Sequence, residues 1–213
     1  MLSVAALAAL APTATAQSLE GSASTFTVQN HMRFANATME QTGQWFGADG
    51  AVRFGRLRAG VGVAMGLLGG SEADEALNPS RDARTTNITF HGYALPWLAT
   101  GISAEARHFD TEFGPTVWRL IGANVQAAPS LGGALEGLAD ISYWPAATVI
   151  NGQSMSMAFR AVLGATYRVK TTPVYVRLAY RFERFDFEAQ GSTPARLEQF
   201  RGAMLGAVVR LSP

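Results

Sequence analysis

The chain contains no cysteine. That excludes disulfides, thiolate metal sites and a cysteine nucleophile, and it is compatible with an envelope protein that needs no thiol handling. Lysine is almost absent too: Lys170 stands alone and arginine supplies the rest of the positive charge. Such an imbalance is expected when most cations occupy enclosed, paired positions, where the planar guanidinium fork is favoured over an ammonium point charge. With 17 basic and 16 acidic residues the formal net charge is only +1. There is no electrostatic footprint for nucleic acid or for a strongly acidic substrate. No run approaches the ~20 apolar residues a membrane helix needs, which excludes a helical membrane protein.

The N-terminus is a short Ala/Leu run, with no Lys or Arg before it, followed by Ala14-Thr15-Ala16. This is the small-x-small pattern ahead of a signal-peptidase cut and places cleavage before Gln17. Residues 1–16 are therefore expected to be a signal peptide. Residues 17–213 then form one domain, since no linker or composition shift divides them.

From Ser24 onward the hydrophobic period is two rather than 3.6, with Gly and Pro punctuation, the signature of many antiparallel strands. Ten strands are predicted, at 24–34, 43–54, 58–69, 85–95, 101–109, 116–127, 133–143, 155–168, 174–187 and 198–211, with eight or twelve compatible with the same pattern. Connections alternate in length. Short links fall at 55–57, 96–99, 129–132 and 170–173, and longer ones at 36–42, 70–84, 110–115, 144–154 and 188–196. A single-chain bacterial barrel has short turns on its periplasmic side and longer loops outside, with both termini on the short-turn side. The predicted fold is all-β, a closed antiparallel up-and-down transmembrane β-barrel.

Alternation alone does not say which face meets lipid, because soluble and membrane barrels differ only in which parity points outward. Met157, Phe159, Ala161, Leu163, Ala165 and Tyr167 form one apolar stripe, and Val174, Val176, Leu178, Tyr180 and Phe182 another. Ala59, Val61, Val63, Met65 and Leu67 form a third. An arginine facing lipid at mid-membrane costs about 2–4 kcal/mol, so the charged parity is assigned to the lumen. Strand 116–127 alone gives no clean parity. Aromatics cluster near strand ends, as expected of interfacial girdles. Phe54, Trp97, Tyr167 and Tyr175 are expected at one rim, and Phe34, Trp45, Phe46, Trp118, Tyr143, Trp144, Phe182, Phe185 and Phe187 at the other.

The Ala14-Thr15-Ala16 pattern, the alternating segments and a closing strand from Phe200 to Leu211 resemble the small bacterial outer-membrane β-barrel families. The resemblance spans essentially the whole mature chain. It is architectural, because these families share a pattern rather than a functional motif, and the chain ends Leu211-Ser212-Pro213 where such proteins usually end on an aromatic residue. It implies residence in the outer membrane and, as partners, outer-membrane lipid, lipopolysaccharide and the barrel-assembly machinery.

The inward parity collects Asp49, Arg53, Glu105, Arg107, Glu136, Asp140, Arg160, Arg177, Arg181 and Glu183. Their signs balance, and a barrel of this size has room inside only for side chains or one small ligand. An isolated buried charge is very costly, so a salt-bridged plug is expected, with Arg160 near Asp140 on one side and near Arg181 and Glu183 on the other. The leading reading is a non-enzymatic envelope scaffold, narrow pore or surface-binding platform. A barrel enzyme acting on lipid A or acyl chains is the first alternative, and a secreted soluble barrel binding an apolar ligand, with the parities reversed, is the second. Outer-membrane lipid A deacylases and palmitoyltransferases use Ser and His with an acidic partner, and omptin proteases use Asp and His pairs. Of the three histidines, His31 and His91 are assigned to the lumen and His108 to the outer face; none lies in a sequence resembling those signatures. The loop 70–84 carries Glu72, Asp74 and Glu75 with Arg81 and Arg84, without the spacing of a calcium loop. No cofactor motif and no metal-ligand spacing occurs.

Overall fold

The computed structural model describes residues 18–35, 37–69, 80–111 and 114–211. The expected signal peptide and Glu72, Asp74 and Glu75 of the long loop lie outside the described residues. The strands are β1 (Ser18–Arg33), β2 (Thr38–Phe54), β3 (Leu57–Gly69), β4 (Arg81–Leu95), β5 (Leu98–Thr111), β6 (Gly114–Ala127), the three-residue arm β7 (Ser130–Gly132), β8 (Leu135–Ile150), β9 (Met155–Arg168), β10 (Val174–Phe187) and β11 (Arg196–Leu211). Each long strand pairs antiparallel with its sequence neighbour, β6 pairs with β8, and β1 pairs with β11. Ten strands thus close on themselves, which satisfies the ladder without a free edge. The arm β7 pairs only with β8, at the end that holds both termini.

The strands outrun their predicted bounds. They reach 13–17 residues, whereas about 9–11 tilted residues cross a bilayer. The excess lies mostly at the end away from the termini, the loop end. Strand β8 was expected to stop at Tyr143, before Pro145; it continues to Ile150 because the β6–β8 register shifts between Ile121 and Ala123. A bulge absorbs the missing proline donor. At the terminal end Phe54 and Leu57 are joined by a two-residue turn in which Gly55 has φ 57°, the glycine-favouring first position of a type II′ hairpin.

The apolar parity faces outward. Val63, Met65, Leu67, Ile88, Ile102, Leu163, Leu178 and Leu205 are all exposed on the outer wall, which a soluble barrel would bury. In β6 the inward set is Trp118, Leu120 and Asn124, all buried, against an exposed Arg119 and Ile121. Several aromatics expected at the rims are inside instead: Trp45, Trp118, Trp144, Phe185 and Phe187 are buried in the lumen, and Tyr175 faces inward under Arg210, whose guanidinium lies 4.5 Å from the ring centroid. Rim position and inward parity are not exclusive, and the narrow lumen uses large rings as filler. Phe46, Tyr143 and Tyr167 do lie exposed on the outside, and Trp97 lies exposed at the terminal-end mouth of the lumen.

Room for those rings comes from small residues on β3. Gly66 faces inward directly across from Trp45, and a Cβ there would run into the indole. Gly66→Leu is therefore expected to cost about 1–3 kcal/mol through overpacking, read as a lower urea midpoint of the detergent-folded barrel. Gly50→Ala, where a Cβ meets nothing, should leave the midpoint unchanged.

Candidate functional site

The lumen is stacked in layers, because each strand delivers its inward residues at alternate positions from the terminal end to the loop end. Along β10 the order is Arg177, Arg181, Glu183, Phe185, Phe187; along β5 it is Glu105, Arg107, Phe109. Four zones result: a polar vestibule, a charge layer, an aromatic layer and a polar cap.

The charge layer joins five residues from three strands. Arg107, fully buried, donates to Glu105 Oε1 at 2.5 Å and in a fork to both oxygens of Glu183 at 2.6 and 2.8 Å. Arg160 donates to the other oxygen of Glu105 at 2.7 Å and to Ser142 Oγ at 3.1 Å. Arg181 donates to Glu183 Oε1 at 2.6 and 3.0 Å. Both carboxylates have no exposed side-chain surface. Buried charges of this kind survive only when paired and hydrogen-bonded throughout, and charge-assisted forks are the strongest available bonds. Arg160 stands opposite Glu183 and Ser142, whereas Asp140 falls opposite Val162. Arg160 accordingly bonds Glu105, with Asp140 near it but not hydrogen-bonded to it.

Above this layer the rings close the bore. Phe109, Trp118, Phe185 and Phe200 touch with centroids 4.6–6.4 Å apart, and Trp45 bridges Phe26 and Phe200 at 5.3 and 5.9 Å. Arg107 sits against this floor, 4.7 Å from the Phe185 centroid, so cation–π attraction adds to its ion pairs. Beyond it, Arg81 donates to Glu198 at 2.7 Å and to Gln41 at 2.9 Å, and Asn30 donates to Glu198 at 2.8 Å.

Toward the termini a cavity of about 380 Å³ opens below the charge layer. Here Arg58 and Arg210 share Glu20 at 3.1 and 2.9 Å, and Arg210 also donates to Glu136 at 2.6 Å. Asp140 accepts from Asn124 and Gln126 at 2.8 and 2.7 Å, and Asp49 accepts from Ser22 at 3.1 Å. Arg53 donates to the Gly55 carbonyl at 3.0 Å and stacks 4.0 Å over the Tyr93 ring. Arg177 lines the cavity, with no side-chain hydrogen bond among the described residues.

The ten residues singled out from the sequence thus divide. Five meet in the charge layer and the other five line or rim the vestibule. Sequence reasoning missed Glu20, Arg58, Arg210, Arg81, Arg196 and Glu198, which fall near or beyond the predicted strand ends; extending the inward parity toward the strand ends reaches all but Glu20, which lies on the even face of β1 that the lumen assignment of His31 had turned outward. His31 was assigned to the lumen, but on β1 the even positions face inward, and His31 lies outside, 3.1 Å from Glu40. His91 is buried and contacts Asn124, and His108 is exposed on the outer wall. Among the described residues no histidine inside the barrel hydrogen-bonds a serine or a carboxylate, and no group of acidic and histidine side chains could hold a metal ion.

A ten-stranded closed barrel with an apolar outer wall and a filled polar interior defines a transmembrane β-barrel of the outer-membrane type. No family model matches the sequence, and no curated protein matches it either. Solved structures of similar shape include bacterial outer-membrane barrels. The outer-membrane protease OmpT of Escherichia coli has a TM-score of 0.61 at 8% identity, covering 95% of this chain and 99% of that one. The translocator domain of the autotransporter NalP of Neisseria meningitidis has a TM-score of 0.49 at 13% identity, covering 97% and 92%. The likeness to OmpT is one of fold.

Arg196 faces inward, its guanidinium 4.1 Å from the Phe187 centroid, whereas Arg56 lies exposed in the turn between β2 and β3 and serves as a surface control for the charge layer. Arg107→Ala should cost about 3–5 kcal/mol by stranding two buried carboxylates, and Arg160→Ala should also lower stability. Arg56→Ala should stay within about 0.5 kcal/mol; urea unfolding in detergent micelles measures all three.

Proposed function

We propose that this chain is a bacterial outer-membrane barrel that does not conduct: an envelope scaffold or surface-binding platform, exported by its signal peptide and inserted by the barrel-assembly machinery. The observation that carries this reading is the doubly closed lumen. A guanidinium–carboxylate layer whose Arg107, Glu105 and Glu183 are fully buried lies directly under a layer of touching aromatic rings, and a hydrated ion would have to break both. The short-turn rule assigns the terminal end, and with it the vestibule, to the periplasm. Its cavity is then a blind recess rather than half of a channel.

The lipid-facing wall supports membrane residence on energetic grounds. Exposed Met65, Ile102, Leu163, Leu178 and Leu205 would each leave apolar area in water at about 25 cal/mol per Å², and a patch of this extent on a soluble monomer promotes aggregation. Acyl chains remove that penalty. A lipid-modifying enzyme would need a nucleophile and base in hydrogen-bond contact, which the lumen histidine His91 lacks among the described residues.

Expressed protein should sediment with outer membranes and give a heat-shifted gel band. In planar bilayers the folded barrel should show no resolved unitary conductance. Steady single-channel currents from pure folded protein would overturn the non-conducting reading, and recovery of the folded chain in the soluble periplasmic fraction would overturn the membrane one.

A further inference from the structure

The charge-layer arginines are all ion-paired, but a set of outward-facing guanidiniums is less completely engaged. Arg84 on β4, Arg119 on β6, Arg184 on β10 and Arg201 on β11 are exposed and point away from the lumen. Each stands at the same place in its strand, immediately beyond the loop-side end of an outward run. Arg84 follows Phe90, Ile88 and Thr86; Arg119 follows Val125, Ala123 and Ile121; Arg184 follows Leu178, Tyr180 and Phe182; Arg201 follows Leu205 and Ala203. In the terminal half of the strands no outward position among the described residues is charged. The collar is therefore one-sided.

The β4–β6 face is the most open part of it. Arg84 pairs across the ladder with His108, and Arg119 lies diagonally beyond, opposite Ala106. Two strand spacings separate the guanidinium-bearing residues, on the order of 10 Å. Arg84 and Arg119 make no side-chain hydrogen bond or ion pair among the described residues. Arg184 is held by Asp186 at 3.1 Å and Arg201 by Gln29 at 3.2 Å. Asp82 and Asp110 face each other one outward step past Arg84 and His108. Like charges so placed repel, and they would also repel an anion seated farther from the apolar belt.

We propose that Arg84 and Arg119, with His108 between them, form a binding site for the phosphate groups of an outer-leaflet glycolipid whose acyl chains lie along the wall beneath. The guanidinium fork matches phosphate geometry in a bidentate way. The apolar run under each arginine supplies the acyl contact, and the aspartate pair holds the phosphate to the belt side. This rests on the outer-membrane reading, whose own failure would show as a chain that does not fold in detergent at all.

The test is native mass spectrometry of the detergent-folded full chain with three probes: bisphosphorylated lipid A, enzymatically dephosphorylated lipid A, and phosphatidylglycerol. Lipid A should be retained, and the Arg84→Gln/Arg119→Gln variant should weaken retention by about tenfold or more. The exposed Arg33→Gln control should change it less than about twofold. Folding of each variant is checked by its heat-shifted band, and Arg119→Gln alone serves if the double variant does not fold. Equal retention of the dephosphorylated lipid, or retention unmoved by the variants, overturns the site. Equal retention of phosphatidylglycerol overturns the glycolipid in favour of any anionic lipid.

Discussion

A guanidinium taken out of water must be matched on every side, and the interior of this barrel is organised around that demand. Arg107 has no exposed surface, yet its donors reach two carboxylates and its flat face rests on Phe185. Glu105 and Glu183 in turn need more than one cation each, which Arg160 and Arg181 provide. The layer is thus a closed account of donors and acceptors in which loss of one member strands the others.

That interior and the outer wall solve opposite problems with the same strands. Outside, acyl chains tolerate no charge, so the outward parity is uncharged and mostly apolar until the strands pass the belt. Inside, the middle and loop-side bore is too narrow for bulk water, so side chains must fill it and satisfy one another. Period-two geometry lets each strand serve both environments without compromise.

The layering also gives the molecule a direction. The charge and aromatic layers, with Trp45 let in by Gly66, occupy the middle and loop side, while the terminal side keeps a recess lined by Arg53, Arg177, Asp49 and Asp140, whose hydrogen bonds go to uncharged groups where they form at all. On the outside the same polarity appears as arginines at the loop-side edge of the belt only. Both asymmetries follow from strands longer than a bilayer is thick, whose excess lies mostly beyond one edge.

Much of this was legible in the chain itself. Strand number, the length rhythm of the connections and the inward parity of the ten charged residues are local properties, since alternation and turn chemistry act over a few residues. Placement across the bore was not legible. Whether Arg160 meets Asp140 or Glu105, whether Trp45 and Trp118 rim the belt or fill the lumen, and whether His31 faces in or out depend on register and on what stands across the lumen. The sequence by itself determined which side chains share a face, because the pleat has period two. Only the tertiary structure decided which of them meet, because closure brings together residues far apart in the chain and a single bulge or a slip of one position changes every partner.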